Sequence, residues 1–286
     1  MEHPLVSANW LQDNLKNTRV LDASYHLPDV KRDANAEFEA AHIPGAMRFD
    51  IDAIADRHSP LPHMLPHPDD FTAAMQALGL NAGDHVVFYD DSDVKSAARG
   101  WWMMHLFGHT NASVLDGGLA AWRTIDGAME KAAGNAASPL ERGNFTASPA
   151  KGMGVTDFTA LLGVVRSNNS GQVLDARGAA RFAGSAPEPR AGLRAGHIPG
   201  SRNLPFNKLF REDGMFHDPE TLKSLFAEAG IDVAKPVTAT CGSGVTACVL
   251  AMGLRLVGNK DTVVYDGSWT EWGASDAPIA AGDADS

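Results

Sequence analysis

Two cysteines, Cys241 and Cys248, occur in this chain, and their settings differ. Cys241 opens the run Cys241-Gly242-Ser243-Gly244-Val245-Thr246-Ala247, after the apolar stretch Pro236 to Thr240 and before a long apolar segment. A residue between a strand end and a helix start stands where open parallel sheets bind ligands. Two glycines within four residues let the chain curl until successive backbone N–H groups point into one concavity, backed by the positive end of the helix. Such a cradle, built from Gly242, Gly244, Val245 and Thr246, favours a thiolate and would hold a negatively charged sulfur species beside it. Cys241 is therefore expected to be a nucleophile. Cys248, inside an apolar run with Val249 and Met252, reads as core packing.

A cysteine before a curled anion loop also describes phosphatases of the Cys-x5-Arg type. Their clamping arginine is replaced here by Ala247, which removes phosphoryl transfer. Other cations are at hand. Arg181 and Arg190 bracket a stretch containing Gly184, Pro187 and Pro189, and two arginines held in this way suit bidentate recognition of a carboxylate. Arg57, His58 and His63 lie in or beside a second Pro-rich stretch, Ser59 to Pro66, too irregular for a core element and able to overhang another domain. Taken alone, His63 reads as solvent-exposed.

The elements that must position these residues follow from apolar periodicity. Arg19 to Leu21, His85 to Tyr89, Gln172 to Leu174, Pro236 to Thr240 and Thr262 to Tyr265 read as strands. Phe71 to Leu78, Ser96 to Phe107, Thr156 to Val165, Pro219 to Ala229 and Val245 to Val257 read as helices. Continuous apolar strands, each followed by a helix, indicate a mainly parallel sheet with helices on both faces.

The pattern occurs twice. Val20-Leu21-Asp22-Ala23 returns as Val173-Leu174-Asp175-Ala176, and His42-Ile43-Pro44-Gly45 as His197-Ile198-Pro199-Gly200. Leu115-Asp116-Gly117-Gly118 with Trp122 answers Tyr265-Asp266-Gly267-Ser268 with Trp272. Offsets of 153, 155 and 150 residues, in unchanged order, imply two tandem α/β domains of one fold, 1–145 and 146–286. An unstructured linker is expected within Ala132 to Gly154, which is rich in Ala, Gly, Ser, Asn and Pro. The repeat places Asp90 where the second domain has Cys241, so chemistry is expected in the second domain alone.

Composition narrows the partners. Twenty-four basic against thirty-five acidic side chains give a formal charge of −11, with no basic tract, so nucleic acid is not expected. No apolar run is long enough for a membrane span, and the start has no signal-peptide pattern, so a cytoplasmic location is expected. Two cysteines without a CxxC pair, and histidines without ligand spacing, support neither a metal nor a cofactor.

With these motifs assembled, the chain resembles the two-domain sulfurtransferases of the rhodanese family, in their 3-mercaptopyruvate branch. The Cys241 to Ala247 loop, both His-Ile-Pro-Gly segments, Ser59 to Pro66, Pro187 to Arg190 and Tyr265 to Trp272 carry the resemblance over almost the whole chain. The thiosulfate branch instead carries basic residues directly after the cysteine. The resemblance implies that Cys241 holds a persulfide, that Arg181 and Arg190 bind the donor's carboxylate and keto oxygens, and that Ser243, His63 and Asp52 relay protons. It also implies a silent amino-terminal domain. The donor would be 3-mercaptopyruvate, and the acceptor a small thiol, a reduced thioredoxin or cyanide.

Overall fold

The structure is a computed structural model that describes residues 3–132, 141–148, 153–167 and 171–282. It divides into two compact units. One comprises Met1–Arg57, Leu65–Ala150 and Glu212–Met215, the other His58–Met64, Lys151–Arg211 and Phe216–Ser286.

In the first unit the order is β1 (Leu5–Val6), α1 (Ala8–Asn14), β2 (Thr18–Asp22), α2 (Ala34–Ala40), β3 (Met47–Arg48), α3 (Ile51–Ile54), α4 (Pro68–Ala77), β4 (His85–Tyr89), α5 (Ala97–Leu106), β5 (Ala112–Leu115) and α6 (Gly118–Thr124). The second unit continues with β6 (Met153–Thr156), α7 (Phe158–Arg166), β7 (Gln172–Asp175), α8 (Ala179–Phe182), β8 (Arg202–Asn203), α9 (Pro219–Glu228), β9 (Val237–Thr240), α10 (Ala247–Leu256), β10 (Thr262–Tyr265) and α11 (Ser268–Trp272). The sheets run β1-β5-β4-β2-β3 and β6-β10-β9-β7-β8, parallel throughout. One topology used twice is what the sequence repeat implied. Val86 to Tyr89 of the central strand β4 are fully buried, as expected of a strand covered on both faces.

The repeated motifs do the same work in each unit. His42 Nδ1 pairs with Phe38 O at 2.7 Å and its ring stacks on Phe38; His197 Nδ1 pairs with Phe182 O at 2.9 Å and stacks on Phe182. In both, the histidine fixes the chain after the first long strand. The Trp122 indole donates to Ala128 O and the Trp272 indole to Pro278 O, closing the segment behind each sheet.

Two expectations need correction. Thr156 does not start a helix but ends β6; the helix starts at Phe158, where the Asp157 side chain accepts from Ala160 N. The expected linker lies partly outside the described residues, but its described part, 141–148, is not free chain. Phe145 is buried against Phe71 and His109, Gly143 N donates to Gln76 O, and Ser148 N donates to Phe107 O. An aromatic anchor and backbone pairing hold this stretch on the first unit despite its loop-like composition.

Candidate active site

Cys241 follows β9, the central strand of its sheet, at the carboxyl edge, and is 1% exposed. The next five residues curl before α10 begins at Ala247. Gly244 has φ of +78°, a left-handed conformation that a side chain would strain. Cys248 is buried in α10 with its thiol donating to Gly244 O at 3.2 Å, the packing role expected of it.

What shapes the loop comes from the turn after β10. Trp269 N donates to Cys241 O at 2.9 Å, and Thr270 N and Oγ1 donate to Gly242 O at 2.8 and 2.6 Å. These bonds pull the carbonyls outward. The Ser268 hydroxyl donates to Tyr265 O at 2.7 Å and accepts from Cys241 N at 3.2 Å and Gly244 N at 3.1 Å. A hydroxyl has one proton and two lone pairs, so all three are used, and its oxygen still lies 3.9 Å from the Cys241 sulfur. Ser268 is fully buried at φ of +49°, a conformation that costs a non-glycine residue about 1–2 kcal/mol. The surrounding bonds hold it there.

Arg181 reaches this loop from α8, and a Cβ on Gly242 would sit only 3.2 Å from its Nη2. Glu188 grips the same guanidinium, Oε2 to Nη2 at 2.6 Å and Oε1 to Nε at 3.3 Å. The other face of Glu188 meets Arg177 Nη1 at 2.8 Å, and Arg177 forks onto Asp175, the last residue of β7, at 2.7 Å. Arg177 also donates to Gly196 O and lies 4.2 Å above the Trp269 ring. Burial works against its charge, but the Asp175 and Glu188 carboxylates outweigh burial and raise its pKa. Burial lowers the pKa of His197, which therefore serves α8 as a neutral ring.

Arg190 is half-buried and makes no ion pair with a carboxylate among the described residues; its Nη2 lies 3.5 Å from His63 Nε2. A guanidinium can only donate, so in this long contact the imidazole nitrogen is the acceptor. His63 is 5% exposed at φ of +60°, within the second unit. The expectation of an exposed side chain fails because the Pro-rich stretch packs as part of that unit instead of lying in solvent. Ser243 is 8% exposed. Asp52 is an exposed residue in the first turn of α3, in the first unit. Arg181 sits in a short helix where loop was expected. Val245 is buried in the cysteine loop and Thr246 is half-buried beside it.

The corresponding place in the first unit is filled by the protein itself. Asp90 follows β4, and its carboxylate accepts from Ala97 N at 2.7 Å and from Ser92 N at 3.3 Å. Leu119 N donates to Asp90 O, as Trp269 N does to Cys241 O. Burial pushes the Asp90 carboxyl up to about 6. Gly118 stands where the other unit has Ser268, at φ of +58°, and a Cβ there would meet Asp90 O at 2.4 Å.

Ser268, Thr270, Glu188 and Arg177 were not singled out from sequence. For Ser268 the signal was present: between two matching Asp-Gly motifs, Gly118 becomes Ser268 in the repeat that carries the cysteine.

The rhodanese-like domain family matches residues 7–125 and 163–275. The chain is 45% identical over 281 residues to 3-mercaptopyruvate sulfurtransferase of Mus musculus, covering 94% of this chain and 91% of the relative. It is 43% identical over 300 residues to thiosulfate/3-mercaptopyruvate sulfurtransferase 1, mitochondrial, of Arabidopsis thaliana, covering 96% and 78%. Among solved structures it resembles SseA from Escherichia coli, described as a 3-mercaptopyruvate sulfotransferase with the rhodanese fold. That match has a TM-score of 0.83 and 38% identity, over 94% of this chain and 99% of the other.

Two outcomes test this geometry. Ser268→Ala leaves two buried N–H groups without an acceptor, at a cost of about 1–3 kcal/mol in unfolding free energy, while Ser268→Gly also relieves the left-handed strain and costs less. Alkylation of Cys241 should slow in both, measured by timed iodoacetamide labelling. Asp90 behaves differently with pH. Its folded-state pKa lies above the ordinary carboxyl value, so its contribution to stability is complete below that value and is lost as pH rises through about 6. Asp90→Asn should therefore gain stability relative to the parent as pH rises from 4 to 7, by at most about 3 kcal/mol, in thermal melts across that range.

Proposed function

Because the chain belongs to the rhodanese family, we propose that it is a sulfurtransferase that takes sulfur from 3-mercaptopyruvate onto Cys241 and passes it to a thiol or to cyanide. The observation that carries this reading is the buried Cys241 at the head of a curled loop, with Arg181 Nη2 beside Gly242 and no cation within the loop itself.

The Cys241 thiolate attacks the donor's sulfur, the new S–S bond forms, and the carbon–sulfur bond breaks. The electron pair of that bond leaves with carbon as the enolate of pyruvate. Arg181 and Arg190 bind the carboxylate and the keto oxygen, and gain most when negative charge reaches that oxygen. The proton from the donor's thiol ends on the enolate carbon, giving pyruvate and an enzyme persulfide anion. Ser243, two residues beyond Cys241, and His63, 3.5 Å from Arg190, are the groups that the resemblance assigns to moving this proton. Asp52 enters by resemblance alone. Loop N–H groups of Gly242, Ser243, Val245 and Thr246 support the persulfide, while that of Gly244, expected in the same cradle, is taken by the Ser268 hydroxyl. In the second half-reaction a thiol, of a small molecule or of a reduced thioredoxin, or cyanide, attacks the outer sulfur and restores the thiolate. Such a sequence gives ping-pong kinetics.

Donor preference follows from charge placement. Thiosulfate is a compact dianion and gains most from cations in the loop, where Gly242 and Ser243 supply none. A donor whose carboxylate lies away from its sulfur uses the arginines, one bidentate contact being worth about 1.5–3 kcal/mol. Parallel steady-state assays should give 3-mercaptopyruvate the larger kcat/KM, and an equal or larger value for thiosulfate would contradict the reading. Arg190→Gly should lower kcat/KM for mercaptopyruvate by about 10- to 100-fold. An unchanged value would favour a passive persulfide carrier loaded by another protein, which needs the cradle but not the arginine.

A further inference from the structure

We propose that Glu188 sets which donor this site accepts, by fixing Arg181 in place while cancelling its net charge. The inference rests on the reading that Arg181 and Arg190 bind the sulfur donor. Glu188 pairs with Arg177 and Arg181; it acts through Arg181 and is a positioning residue.

The argument begins with the burial of the carboxylate. The Glu188 side chain is 2% exposed, yet both oxygens are engaged, Oε1 by Arg177 and Oε2 by Arg181. A buried carboxylate placed between two guanidiniums holds both in register, because moving either leaves a charge unpaired in a poorly solvated site. The anchor is firm. Arg177 is 2% exposed and is tied to Asp175 at the end of β7, to Gly196 O and to the face of Trp269, whose own N–H holds the Cys241 carbonyl. The substrate arginine and the cysteine loop are thus fastened to one framework. The Nε and Nη2 edge of Arg181 is turned to Glu188, while Nη2 also lies next to Gly242.

Charge is the second consequence. Asp175 and Glu188 contribute two negative charges, Arg177 and Arg181 two positive ones, so the connected group is neutral. Arg181 then offers directed N–H groups without a surplus of charge. Arg190 has no carboxylate partner among the described residues, and its neighbour His63 meets it as an acceptor. Among the described residues, the arginines that meet the donor's oxygens, counted apart from the attacking Cys241 thiolate, thus leave one uncompensated cation, a match for one carboxylate. A dianion brings a second charge that nothing in this set balances. Removing the Glu188 charge would free Arg181 to act as a second cation and would also loosen it, helping thiosulfate relative to 3-mercaptopyruvate.

The test compares both donors, with cyanide as acceptor, in the wild type, Glu188→Gln and Glu188→Asp. Glu188→Gln should lower the ratio of kcat/KM for mercaptopyruvate to that for thiosulfate by about fivefold or more, with a lower KM for thiosulfate. Glu188→Asp keeps the charge and shortens the reach, so both rates should fall while the ratio stays within about fivefold of the wild type. A smaller fall in the glutamine variant, or an equal fall in the aspartate variant, overturns the proposal. Should the glutamine variant fail to fold, inhibition of the wild type by two small anions, one a product and one not, decides. Pyruvate, a monoanion, should inhibit at lower concentration than sulfate, a dianion, and the reverse order overturns the proposal. A wild type inactive with mercaptopyruvate would instead defeat the reading on which this inference rests.

Discussion

The Ser268 hydroxyl, shared between the N–H groups of Cys241 and Gly244, turns the end of a strand into a site. A chain leaving β9 has no intrinsic reason to curl around a sulfur atom. Four constraints from one turn make it do so: the serine oxygen draws two amides together, and Trp269 and Thr270 draw two carbonyls away. The serine occupies a left-handed conformation that would ordinarily select glycine, and the local strain is offset by three hydrogen bonds. The reactive geometry is therefore a property of two segments 27 residues apart in sequence, brought together by adjacent parallel strands β9 and β10.

The contrast between the units follows from the same constraint. In the first, glycine replaces the serine, and a carboxylate on the residue after the strand caps the amides at the start of α5. An internal anion occupies the space that the second unit leaves to a substrate's sulfur. Fold and function separate here: both units keep the sheet, the histidine that holds the first crossover and the tryptophan that closes the back, while two exchanges, Asp90 for Cys241 and Gly118 for Ser268, set the strand ends apart.

The central strands, the long helices and the duplication were legible because buried parallel strands and amphipathic helices leave strong periodic signals. Strands β1, β3 and β8 were not, since two residues carry no period; β5 and β6, of four residues each, were also missed, and Thr156 at the end of β6 was misread because its neighbours in α7 are apolar enough to extend a helix pattern backward. Cys241 and Gly244 were legible because cysteine and glycine have few other reasons to stand together at a strand end. The buried network of Asp175, Arg177, Glu188 and Arg181 was not, because pairing among charged residues depends on which loops meet, and composition alone gives a charged loop residue no address. His63 failed for the same reason: a Pro-rich segment looks exposed until the unit that covers it is known.

The central claim is that Cys241 alone accepts and carries the sulfur. Intact-protein mass spectrometry after mixing with 3-mercaptopyruvate, without any acceptor, tests it most directly. The account predicts a gain of one sulfur atom, located by peptide mapping to Cys241, absent in Cys241→Ser and released by added thiol. No gain in mass, or a sulfur found on Cys248, would contradict it.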